Sequence, residues 1–340
     1  MKKSLVSMVA ILALSTAVNA EGLLDQAKKS GLSPIPSDKA SLMKLIDNPN
    51  NPITEEKVEL GKKLFFDPRL SKSSLISCNT CHNLAIGGVD GVSAATGHKW
   101  TANPHHLNSP TVYNAVFMGS QFWDGRDPDL EKQAQGPMQA APEMAISKEM
   151  AQARVASMPA YVEEFKKAYG DEKITFERIS DTIATFERTL VTPSRFDKFL
   201  EGDTKALSDD EKAGLKLFID KGCVSCHNGV ALGGSMQPFP AVKPFKYAKV
   251  GDFKGDKNGM VKVPTLRNIN QTAPYFHNGT VWSLAEAVEI MAETQLGTTL
   301  TKDETASIVT FFKALEGKKP DINYPQLPEV TKTTPNPDMN

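Results

Sequence analysis

Little in this sequence points to a charged partner or to a membrane. Lys and Arg (39) almost balance Asp and Glu (40), for a formal net charge of −1, so no excess of one sign speaks for nucleic acid. Past the first twenty residues, no stretch reaches the roughly 20 apolar residues that a bilayer requires. No strong alternation of apolar and polar residues marks a sheet protein. Cysteine is scarce as well, with four in 340 residues. An exported chain normally uses cysteines for disulfides, but these four fall into two identical patterns, Cys78-Asn-Thr-Cys81-His82 and Cys223-Val-Ser-Cys226-His227.

Export is expected from the start of the chain. Lys2 and Lys3 precede an apolar run from Leu5 to Val18, which closes on Val18-Asn-Ala20. A charged start, a short apolar stretch and a small-x-small ending describe a cleavable secretory signal over residues 1–20. The competing reading, a retained anchor, needs a longer apolar run. About 320 residues then remain, enough for two domains.

Cys-x-x-Cys-His is the attachment pattern of c-type haem. Two thiols add to the porphyrin vinyl groups, and the adjacent His reaches the iron from one face. A redox dithiol requires no following His, yet here one follows both pairs. Zinc ribbons space their pairs by about 15–20 residues, whereas Cys81 and Cys223 are over 140 residues apart. Two haems are therefore expected, held by Cys78, Cys81 and His82 and by Cys223, Cys226 and His227.

The two halves also resemble each other beyond these motifs. Gly61-Lys-Lys-Leu-Phe-Phe-Asp67 precedes the first, and Gly214-Leu-Lys-Leu-Phe-Ile-Asp220 the second. Each reads as the end of a helix, the second opened by a capping box at Ser208 and Glu211. Pro110-Thr-Val-Tyr-Asn114 pairs with Pro264-Thr-Leu-Arg-Asn268. A Gly follows each Pro at the same fifteen-residue spacing, Gly125 in one half and Gly279 in the other. The expected fold is mainly α, with two cytochrome c-like haem domains related by internal duplication. Residues 21–192 form the first domain, 193–206 a linker, 207–320 the second domain and 321–340 a tail on the surface or disordered.

The repeat is unequal where it matters. Twelve residues past Gly279 lies Met291, in the helical stretch Leu284–Met291; twelve past Gly125 lies Pro137. Met is a common sixth ligand in electron-transfer cytochromes and raises the potential, though Met236 and Met260 compete for the role. Proline offers iron no donor. The second haem is thus expected closed and the first open. Glu143, six residues past Pro137, is placed to move protons there, with Gln133 to orient it or a bound ligand. Read alone, both are ordinary surface residues. His98 lies on a Gly-rich loop expected to be mobile and able to swing over the open face; His105 and His106 nearby read as loop residues. Trp123 reads either as a core aromatic or as a relay between the haems.

These residues make the chain resemble the bacterial di-haem cytochrome c peroxidases, over roughly Leu42 to Pro328. The carrying motifs are the two haem sites, Gly97-His98, Asn108-Ser-Pro-Thr111, Phe122-Trp-Asp-Gly-Arg126, Gly136-Pro-Met138 with Glu143-Met144, and Ala273-Pro-Tyr-Phe-His-Asn-Gly279. The resemblance implies a periplasmic enzyme that reduces hydrogen peroxide to water, as a homodimer fed by a small cytochrome c or cupredoxin. It implies that the first haem is peroxidatic and that electrons enter at the second. His98 then matches a ligand of the resting first haem, released on reduction; Glu143 the acid–base group, Gln133 its neighbour and Trp123 the inter-haem Trp. Asn108, with carbonyls of Thr272 and Pro274, matches a calcium site, and oxygen donors suit calcium. The stretch from His98 to Asn108 is longer than the family's usual form. Three readings compete: a relative that oxidises protein tryptophans, with Tyr where Met291 stands; a pure electron carrier with His98 permanently bound; and a haem-based sensor.

Overall fold

The structure, a computed structural model, describes residues 19–340; the expected export signal lies, but for its last two residues, outside the described residues. The fold is mainly helical. The one sheet among the described residues pairs β1 (Met236–Pro238) with β2 (Met260–Lys262) antiparallel, Met236 opposite Lys262. No helix among them is long and apolar enough to cross a membrane.

Helices begin where side chains can satisfy the free N–H groups of a first turn. After α1 (Ala20–Lys29) and α2 (Lys39–Ile46), Thr54 caps α3 (Glu55–Phe66) by accepting from the Lys57 N–H. The first haem motif forms α4 (Cys78–Cys81), and α5 (Leu130–Gln133) and α6 (Gln135–Gln139) follow. Next come α7 (Lys148–Ala156), α8 (Pro159–Tyr169) and α9 (Phe176–Arg188), the last capped by Thr175. α10 (Arg195–Leu200) precedes α11 (Asp209–Asp220), whose Ser208/Glu211 capping box is the expected one. α12 (Leu284–Leu296) extends past Met291, and α13 (Lys302–Phe312) opens on a second capping box, Thr301/Glu304.

Two cores result. In the first, α9 turns Phe176, Ile179, Ile183 and Phe186 against Leu60, Leu64 and Phe65 of α3 and Phe165 of α8. In the second, Leu215 and Phe218 of α11 pack on Ile308, Phe311 and Phe312 of α13. Each buried side chain of this size contributes about 1.5–3 kcal/mol. Both helix pairs cross through a glycine. A Cβ at Gly61 would collide with the Thr182 carbonyl and Phe186, and one at Gly214 with the Ser307 carbonyl and Phe311.

The halves meet at Thr192, whose hydroxyl accepts from Asn114 Nδ2 (2.7 Å) and from Asn268 Nδ2 (2.8 Å). Both asparagines are left-handed, at φ 62° and 60°. Each donates its N–H to the end of a half, Asn114 to the Leu190 carbonyl and Asn268 to that of Leu315.

The chain ends cross between the cores. α1 packs Leu23, Leu24 and Ala27 on the second core, although residues 21–192 read as one unit in the sequence. The segment 193–206 is no free linker, because α10 buries Phe196, Phe199 and Leu200 in that same core. Asp197 ties it down, pairing with Arg267 at 2.8 Å and accepting from the Ile35 N–H at 2.8 Å. The stretch after residue 320 returns over the first core. Ile322 packs on it, and Tyr324 meets Phe66 edge-on at 5.0 Å.

Candidate functional site

One continuous cavity, about 2830 Å³ including its openings, runs between the two halves and is lined by both Cys-x-x-Cys-His motifs. Residues of both motifs share this one space, so a group held by each motif would lie in it. Its wall is mostly apolar.

All four cysteines are free and half-buried at the wall. Burial pushes the Cys81 thiol up to about 12 and that of Cys223 to about 11. A redox dithiol needs the opposite, a depressed thiolate. Each motif histidine is tethered by Nδ1, His82 to the Pro110 carbonyl at 2.9 Å and His227 to the Leu232 carbonyl at 3.1 Å. Tethering by Nδ1 leaves Nε2 as the free donor and fixes the ring, as iron ligation needs. Burial lowers both imidazoles, that of His227 to about 4, which keeps them neutral. The residues present therefore fit two c-type haems.

Phe122, Gln133, Pro137, Glu143 and Met144 line the cavity together with His82. α5 and α6 bring Gln133 and Pro137 there, and the backbone after α6 turns back so that Met144 N–H bonds the Pro137 carbonyl (3.1 Å), presenting Glu143. Burial raises the Glu143 carboxyl above the ordinary range, partly offset by Arg126 and His105. In the other half, α12 sets Met291 in the wall; Met236 and Met260 belong to the β1–β2 pair and do not line the cavity. Trp123 lies at the seam: its Nε1 donates to the Asn108 carbonyl at 3.0 Å, its carbonyl accepts from the Lys262 N–H, and its ring meets His277 edge-on at 6.4 Å. Asn108, Thr272 and Pro274 line the same space, and Asn108 Nδ2 is spent on the Val92 carbonyl (2.8 Å), turning its oxygen elsewhere.

His98 is not brought to the wall. It sits buried (7 % exposed) with Nδ1 unpartnered, its N–H bonded to the Glu143 carbonyl (2.7 Å) and its own carbonyl accepting from the Ser73 hydroxyl (2.5 Å). The loop expected to be mobile is pinned here by Gly97 N–H to Thr101 and Ala95 N–H to Leu107. The longer 98–108 stretch rests on the second half through His105 Nδ1 and Asp252, 2.9 Å apart.

Three cavity residues escaped sequence reasoning. Glu187 is 6 % exposed with Oε2 unpartnered; burial, then Glu131, pushes its carboxyl to about 8. Its signal was a carboxylate beside the apolar stripe of α9. Lys262 is buried and lowered to about 8, its Nζ donating to the Ser120 carbonyl at 3.0 Å. His277, lowered by burial to about 4, sits inside the repeated aromatic–Gly motif.

The chain is similar to known proteins over most of its length. A family model described as di-haem cytochrome c peroxidase matches residues 55–205. The chain is 49% identical over 292 residues to a cytochrome c551 peroxidase of Nitrosomonas europaea, covering 84% of this chain and 87% of that one. It is 45% identical to a cytochrome c551 peroxidase of Pseudomonas aeruginosa, covering 94% and 93%. Among solved structures it is similar to a MauG-like protein associated with microbial copper homeostasis, with a TM-score of 0.70 and 27% identity over 80% of this chain and 93% of that one. With two haem-attachment motifs opening on one shared cavity and relatives this similar over nearly its whole length, the chain belongs to the family of di-haem cytochrome c peroxidases.

Proposed function

We propose that the enzyme reduces hydrogen peroxide to water on the His82 side of the cavity, with electrons from a small cytochrome c or cupredoxin entering on the Met291 side. The observation that carries this assignment is the inequality of the two walls. α12 sets Met291, a sulfur donor, in the cavity wall of the second half, while the position matching it by sequence in the first half is Pro137, in a wall that also holds Glu143 and Gln133. Two copies of one haem-binding unit, specialised differently, account for the paired glycine crossings and the paired left-handed asparagines.

Cys78 and Cys81 would hold the first haem and Cys223 and Cys226 the second, with His82 and His227 as their proximal ligands. When bound, the haems supply iron to bind peroxide and carry electrons. Glu143 takes the proton from one peroxide oxygen and returns it to the other, so that water leaves. Two electrons and two further protons convert one peroxide to two waters; the proton Glu143 shuttles is the peroxide's own, so both of these come from solvent. A carboxyl raised by burial suits this work, because proton transfer both ways is best served by a pKa near the working pH. Gln133 orients the peroxide, and Trp123 bridges the two sides of the seam. His98 would serve as a reversible ligand of the first iron. Asn108 Oδ1 with the carbonyls of Thr272 and Pro274 would hold calcium. Export through the signal, a periplasmic location and a homodimer complete the reading.

Steady-state peroxide consumption with a reduced donor cytochrome tests the assignment. Turnover after partial reduction is expected; its absence refutes the peroxidase reading.

A further inference from the structure

Arg154 and Arg267 are the largest fully buried side chains among the described residues, and unlike Arg267, which pairs with Asp197, Arg154 (1 % exposed) hydrogen-bonds no carboxylate among them. Its guanidinium is spent on main-chain carbonyls. Nη1 donates to Arg69 (2.9 Å) and Ser71 (2.5 Å), and Nη2 to Lys72 (2.9 Å) and Asn336 (2.8 Å). Three of these belong to one turn, and the fourth to the end of the chain. That end grips the same turn again: Asp338 N–H donates to the Lys72 carbonyl (2.9 Å), and Lys72 Nζ reaches the Asn340 carbonyl (2.8 Å) and the Asp338 carboxylate (3.3 Å).

The far side of the turn faces the site. Lys72 N–H donates to the Met144 carbonyl (2.8 Å), next to Glu143, and the Ser73 hydroxyl donates to the His98 carbonyl (2.5 Å). His98 N–H closes the ring on the Glu143 carbonyl. The imidazole itself adds no bond, since its Nδ1 is buried without a partner. A buried polar atom left unmatched favours departure, so the withdrawn position rests on main-chain bonds that converge on the turn.

We propose that Arg154 and the segment Asn336–Asn340 form a clamp that positions His98 outside the haem cavity, and so help set how readily the first haem opens. Arg154 is a positioning residue: it acts through residues 69–73 and touches neither substrate nor haem. The clamp rests on the reading of His98 as a reversible iron ligand. It assigns a regulatory task to the terminal segment, which its own composition does not suggest.

The test uses the haem-loaded, half-reduced full enzyme and reads the spin state of the first haem by electron paramagnetic resonance and optical spectra. Four variants serve: truncation after Pro335, Ser73→Ala, His98→Gly, and His98→Gly combined with the truncation. Truncation leaves Arg154 and the core in place, and so avoids the folding defect that replacing Arg154 risks. Truncation and Ser73→Ala should each raise the ratio of His98-ligated, low-spin to open first haem, on the order of tenfold, the effect of losing one or two hydrogen bonds. His98→Gly should abolish that signal in both backgrounds. An unchanged ratio in the truncated and Ser73→Ala enzymes, while His98→Gly still removes the low-spin signal, overturns the clamp and leaves the ligand reading standing. A low-spin signal that survives His98→Gly overturns the ligand reading and the clamp with it.

Discussion

Replacing Glu187 by Gln should make the enzyme more stable at alkaline pH and leave it unchanged at acid pH. The carboxyl sits on α9 in the cavity wall, 6 % exposed, with Oε2 unpartnered and Glu131 the nearest like charge. Burial disfavours its charged form and moves its pKa from 4.5 to about 8. The folded protein therefore holds this proton more tightly than the unfolded chain does. Its contribution is complete below about pH 4.5 and is lost as pH rises to about 8, beyond which it is flat. At about 1.4 kcal/mol per pH unit, the span sets a ceiling of roughly 5 kcal/mol, and relaxation or water entry lowers this to about 2–4. Glutamine keeps the shape and is neutral at every pH. Unfolding of the haem-loaded protein by guanidinium, followed by far-ultraviolet circular dichroism at pH 5 and 8.5, measures the effect. The variant should lie within about 1 kcal/mol of the parent at pH 5 and exceed it by about 2–4 kcal/mol at pH 8.5. Equal pH slopes in the two proteins would refute a buried, protonated Glu187.

Gly214→Ala forces the α11–α13 crossing apart, because the new Cβ meets the Ser307 carbonyl; it should cost about 2–4 kcal/mol, read from the unfolding midpoint. Gly61→Ala should do the same at α3–α9. Met291→Ala should lower the potential of the second haem, measured by spectroelectrochemistry, and let cyanide bind there, since a sulfur donor raises the potential and blocks the site. An unchanged potential would place the ligand elsewhere than α12.

Much of this architecture could be read before the structure because it is local. The start of α11 follows from its capping box and the ends of α3 and α11 from two similar segments, and counting along those halves leads to Met291 and Pro137, both in the cavity wall. What could not be read depends on distant partners. Phe196, Phe199 and Leu200 occupy a six-residue helix, too short to announce itself, and the partners that hold Asp197 are distant in sequence, Arg267 70 residues on and the Ile35 N–H. Nothing in α1 says which core it joins. A Pro- and Thr-rich tail looks free until Arg154 and Lys72 are seen to bind its carbonyls and N–H groups. His98 was legible as a histidine on a loop, but its burial off the cavity wall goes with bonds to Ser73 and Glu143 that no local pattern announces. Glu187 was hidden because a carboxylate beside an apolar stripe looks like a solvated flank until burial is measured.

The central claim is that catalysis resides in what faces the first haem from the side opposite His82. Peroxide turnover by Glu143→Gln, half-reduced and supplied with a reduced donor cytochrome, tests it most directly. The account predicts a loss of about a hundredfold or more, with haem spectra and reduction by the donor unchanged. Turnover equal to that of the parent enzyme would contradict it.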